Sequence, residues 1–125
     1  MAIAANRRYR MDSVVRAEDL AQSVGSGDLP VLATPRLIAL MECASMKAVS
    51  SELEEGQTTV GAEVKVTHLR PSKEGSHVEI EATLEDVDGR RLTFDVTASE
   101  EGVVIGRGKH VRYIVDRKKF MSKLN

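Results

Sequence analysis

The chain has 125 residues, 42% apolar and 30% charged, with 18 lysines and arginines against 19 aspartates and glutamates for a net charge of −1. This length suits one domain, residues 1–125, and argues against two; the apolar content excludes a disordered chain, and the balanced charge argues against a nucleic-acid partner. The opening "MAIAANRRYR" lacks the apolar core of a signal peptide, and no apolar run of about 18 residues follows it, so a cytoplasmic location and no membrane partner are expected.

Residues 1–30 are the least patterned: "RRYRMDSVVRAEDL" suits an edge strand and a short helical turn, and "GSGDLP" suits a loop. Thr34 followed by Pro35 is a helix-start signal, because the hydroxyl can cap free N–H groups and proline fits the first turn. Leu37, Leu40, Met41, Ala44 and Ala48 recur at helical spacing and Gly56 supplies a stop, which predicts a helix over roughly 35–52. The helix is apolar nearly all round, the mark of a fully buried element. Its lone cysteine, Cys43, excludes an internal disulfide and a multi-cysteine metal site, and reads as a small buried hydrophobe.

Beyond the helix the period falls to two. In "VGAEVKVTHL", Val60, Ala62, Val64, Val66 and His68 share one face; in "HVEIEATLEDV", Val78, Ile80, Ala82 and Leu84 do. Asp88-Gly89 signals a hairpin turn. Leu92, Phe94, Val96 and Ala98 continue the alternation, and "GVVIGRGKHVRYIV" makes a last strand bent or bulged at Gly106 and Gly108. Four consecutive strands with polar outer faces predict an antiparallel meander. One apolar sheet face and one apolar helix can bury each other only if the sheet curls round the helix, an α+β architecture of the hotdog type. The remaining edge strand predicts edge-to-edge pairing into a homodimer or a higher oligomer.

Two titratable residues stand out. Glu42 is the only charge between Leu37 and Met46, and an unpaired buried carboxylate costs several kcal/mol. It is either a structural group, capping backbone or surfacing at a subunit boundary, or a catalytic one. His68 ends an apolar row and so points toward the helix; a lone histidine there is more often a core residue, but beside Glu42 it makes an acid/base pair. His77 and His110 give no comparable signal. Thr34 has a structural account as the cap, and if it caps, eight residues of helix separate it from Glu42 by roughly 12 Å. Either the helix begins later or substrate and water bridge that gap. Gly61 interrupts a strand, as a bulge or as a point of close approach. The cations of "RGKHVRYIVDRKK" form a solvated face or meet an anionic small molecule, since few aromatics are present to stack bases.

The segments "ATPRLIALMECA", "GAEVKVTHL", "VDGRRLTFDVTA" and "IGRGKHVRYIVDRKKF" resemble, in order and spacing, the fluoroacetyl-CoA thioesterase type of hotdog acyl-CoA hydrolase, over about residues 31 to 120. The resemblance implies a dimeric acyl-CoA thioesterase with catalytic Thr34, Glu42 and His68, an active-site Gly61 and a substrate-pocket Arg112. It implies no metal, and no cofactor other than the coenzyme A of the substrate. The fluoroacetyl-specific members carry lid phenylalanines ahead of the threonine, where this chain reads "SVGSGDLP"; a small or medium acyl group of unassigned identity is therefore expected. Two other readings compete. A non-catalytic acyl-CoA binding dimer would bind without turnover, and a hotdog hydratase would place its acid and histidine on one short motif, which is lacking here.

Overall fold

Alternating apolar residues build the sheet in this computed structural model, which describes residues 3–124. Strand β1 (Arg8–Val14) is followed by a 3-10 turn (Ala17–Asp19), a short helix α1 (Ala21–Val24) and the long helix α2 (Thr34–Ser50). Strands β2 (Gln57–His68), β3 (His77–Asp88), β4 (Arg91–Glu100) and β5 (Val103–Asp116) come next, and a short helix α3 (Arg117–Ser122) follows. All pairings are antiparallel, in the order β1-β3-β4-β5-β2. No helix among the described residues is long and apolar enough to cross a membrane.

The predicted inner rows of β3 and β4 are the core. Val78, Ile80, Ala82, Leu84, Leu92, Phe94, Val96 and Ala98 are all fully buried, beneath Leu37, Met41, Ala44 and Val49 of α2. Asp88 pairs with Arg91 across a two-residue turn in which Gly89 takes φ +61°, the conformation that a tight hairpin demands. "GSGDLP" is a loop, and β1 is an edge strand, as its weak pattern predicts.

Three expectations are corrected. Only β3, β4 and β5 form a meander; β2 pairs with β5, because residues 69–76, with Pro71, make too long a connection for a hairpin to β3. The inner row of β2 changes phase: a register shift between Gly61 and Glu63 leaves Ala62 as the extra residue, so Val60 pairs with Tyr113 on the outer face while Val64 pairs with buried His110. Helix α2 is not buried all round, since it packs chiefly on β3. Ile38, Ala39, Glu42 and Cys43 are half-buried and Met46 is exposed, leaving a mostly apolar strip beside the open edge of β2.

Candidate active site

Two groups of polar residues lie along the uncovered side of α2. At its start, Thr34 Oγ1 is 2.7 Å from Nδ1 of His68, which ends β2. Thr34 is therefore not the helix cap. Ala33 occupies that position with no side-chain bond to the backbone, and the threonine is the first helical residue, free to face the histidine. The approach to this point is tied down. Asp19, almost buried, accepts from Arg36 Nε at 2.8 Å and from the Arg16 N–H at 2.9 Å, while its carbonyl accepts from the Ala33 N–H at 2.9 Å. Burial pushes the His68 imidazole below its ordinary pKa, opposed in part by the backbone of Arg70, and its Nε2 makes no hydrogen bond. A neutral imidazole is favoured, as a base requires. Beside the pair lies a cavity of about 270 Å³, walled by Ala21, Leu32, Leu69 and Pro71 among others, with no aromatic side chain.

The second group surrounds Glu42. Its Oε2 lies 3.8 Å from Arg112 Nη1 and 4.0 Å from His110 Nε2. The carboxylate is not buried as the apolar helix predicts: its side chain is 40% exposed, on the strip that the chain leaves open. Gly61 faces it so closely that a Cβ there would come within 2.7 Å of Oε2. Arg112 is buried, donating from Nε to Thr59 Oγ1 at 2.8 Å and from Nη2 to the Thr59 carbonyl at 2.9 Å. Burial pushes its pKa down and Glu42 opposes the shift. The basic run thus divides by strand alternation. Lys109 points outward to Glu85 and Asp95, at 2.8 and 3.1 Å, whereas Arg112 points in.

The structure therefore unites Thr34 with His68, and Glu42 with Gly61 and Arg112, but not the two sets with each other. Helix α2 begins at Thr34, no later than predicted, so eight residues, roughly 12 Å of helix, separate Thr34 from Glu42. Sequence reasoning missed two residues here. His110 is buried against Glu42 and Arg112, and Thr59 is buried under the guanidinium. The signal for His110 was its even spacing from Arg112 on one strand, hidden by the surrounding cations.

With this geometry in view, comparisons with known proteins are specific. A family model described as fluoroacetyl-CoA-specific thioesterase matches residues 15–118. The fluoroacetyl-CoA thioesterase of Streptantibioticus cattleyicolor is 36% identical over 94 residues, 75% of this chain and 68% of that protein. A solved fluoroacetyl-CoA thioesterase structure superposes with a TM-score of 0.92 at 30% identity, covering 99% of this chain and 96% of that one. A thioesterase superfamily member from Thermus thermophilus superposes at 0.91 with 29% identity, covering 98% and 91%. The five-stranded sheet with its long helix is a hotdog fold, and the chain, a thioester hydrolase, belongs to the fluoroacetyl-CoA-specific thioesterase family.

Proposed function

We propose that the protein is a cytoplasmic homodimer that hydrolyses small or medium acyl-CoA thioesters, with each active site built from Thr34 and His68 of one protomer and Glu42, Gly61 and Arg112 of its partner. A related thioesterase has been solved in complex with fluoroacetate and CoA, which supports an acyl-CoA substrate. The observation that carries the two-chain site is the separation of the two polar groups along one helix, both on the strip of α2 that its own sheet leaves open. Edge strand β2, exposed from Gly61 to Lys65, is the element that a second copy can extend. Antiparallel pairing about a two-fold axis at Lys65 would set Glu63 against the partner's Thr67 and His68 against the partner's Ala62, next to the partner's Gly61, and so bring the two half-sites together.

Thioester hydrolysis needs attack at the carbonyl carbon, donors for the oxyanion and a proton for the leaving thiolate. Glu42 acts at the carbonyl carbon, through water or directly by way of an anhydride, and Arg112 and the gap at Gly61 hold it there. Thr34 orients the acyl group, and neutral His68 takes up the proton that the attacking water releases and passes it to the leaving thiolate. The backbone N–H of Thr34, at a helix start that no side chain caps, faces the oxyanion. The 270 Å³ cavity beside them takes the acyl chain.

The test is thiol release from short, branched, aromatic and long acyl-CoAs, with wild type beside Glu42→Ala and His68→Ala. Both variants should stay folded and lose about a hundredfold or more in kcat. Equal inertness of wild type and variants, with the same acyl-CoA bound by all three, would instead identify a binding module.

A further inference from the structure

Arg112 reaches Glu42 only because other groups fix its guanidinium, and one of them has no role in the reading above. We infer that His110 is a positioning residue, a neutral imidazole that accepts a hydrogen bond from Arg112 and thereby aims the guanidinium at Glu42. The inference rests on the proposed role of Glu42.

Two contacts determine the state of the ring. His110 Nδ1 is 2.8 Å from the carbonyl oxygen of Glu63; a carbonyl can only accept, so Nδ1 carries the proton. His110 Nε2 is 3.2 Å from Arg112 Nη1; a guanidinium can only donate, so Nε2 must be the bare acceptor. Both contacts require the same tautomer of the same neutral ring, and a charged imidazolium would turn an N–H toward a cation. Burial, with Arg112 adding to it, pushes the proton affinity of His110 down, the direction that this arrangement needs, against the Glu63 carbonyl and Glu42. The neighbouring ring of Phe94, 6.3 Å between centroids, packs beside it.

The local sequence supports this arrangement. Glu63 follows the register shift in β2, so the bulge that puts Gly61 opposite Glu42 also lies beside the carbonyl that selects the His110 tautomer. With Thr59 holding Nε and Nη2, Nη1 is left between His110 and the carboxylate. A rigid guanidinium matters, because displacing a catalytic group by an ångström costs on the order of a hundredfold in rate.

The experiment uses the full chain as wild type, His110→Phe, which keeps a ring but removes both hydrogen bonds, and His110→Gln, whose amide offers one donor and one acceptor. Steady-state kinetics should show kcat falling about tenfold or more in His110→Phe with KM changed less than about twofold, and a partial return in His110→Gln. Nitrogen-15 NMR of the wild type should show a neutral His110 ring protonated on Nδ1 near pH 7, and the Arg112 side-chain N–H signals, protected in wild type, should broaden or exchange in His110→Phe. An unchanged kcat in folded His110→Phe would overturn the inference, as would a proton on Nε2 or a charged ring in the wild type. The wild-type spectrum decides the matter if His110→Phe does not fold. A wild type inert toward every acyl-CoA would refute the thioesterase reading, and the spectra would then decide the His110–Arg112 arrangement by themselves.

Discussion

Gly61 requires no left-handed backbone, so its lack of a side chain matters for space. A Cβ there would stand 2.7 Å from Glu42 Oε2, 3.3 Å from His110 Cε1 and 3.4 Å from Arg112 Nη1. The end of a half-exposed glutamate can swing aside at little cost, so Gly61→Ala should change stability by less than about 1 kcal/mol. The carboxylate would lose its place, and thiol-release kinetics should show kcat down by about tenfold or more. The histidines predict a pH dependence of stability. His68 and His110 both have folded pKa values depressed below the ordinary 6.5, burial being the first cause in each case. Below 6.5 the unfolded chain binds protons that the folded one refuses, so stability is fully present above that pH and falls as pH drops through the window beneath it. Thermal melts should show Tm declining from pH 7 to pH 5, with a shallower decline in His68→Gln; a flat profile would contradict the assignment. Glu42, His68 and Gly61 stood out in the sequence because each breaks a pattern: a charge in an apolar helix, a ring at the end of an apolar row, a glycine in a strand; Arg112, one cation in a basic run, was singled out by the family resemblance alone. Thr59 breaks no pattern, and the one signal for His110, its even spacing from Arg112, is hidden among the surrounding cations, so three-dimensional neighbours reveal both.

The element most dependent on one residue is β5. A Cβ at Gly108 would lie 2.0 Å from the carbonyl oxygen of Lys65 and 2.7 Å from the Val66 Cα, both backbone atoms of the paired strand β2. Nothing there can rotate away. Gly108→Ala should force β2 from β5 and cost on the order of 3 kcal/mol in chemical denaturation, where an ordinary strand glycine would gain stability from alanine. The inner rows of β3 and β4 were legible because both strands bury one face against α2, and the register shift between them lies past the end of the β3 row, between Leu84 and Asp86. Strand β2 was not, since one inserted residue reverses which side chains face inward, and apolar Val60 and Ala62 continue the alternation straight through the bulge. The helix was read as buried because its strip of Ile38, Ala39, Cys43 and Met46 is as apolar as its core face; composition cannot distinguish a surface that meets its own sheet from one that this sheet leaves open.

At the scale of the whole molecule, the proposed two-chain site accounts together for that strip, the open edge of β2 and the two separated polar groups: on that reading the working unit is a pair of chains, and one protomer alone holds no complete active site. The most direct test is complementation between two inactive variants. Thr34→Ala/His68→Ala lacks one half-site and Glu42→Ala lacks the other; refolded together, half of the dimers are mixed, and each mixed dimer has one complete site made from the two intact halves. The account predicts that the mixture recovers roughly a quarter of the wild-type rate while each variant alone stays inactive. A mixture that exchanges subunits, as mass measurement would verify, and yet remains as inactive as its components would place both halves of the site in one chain and contradict the account.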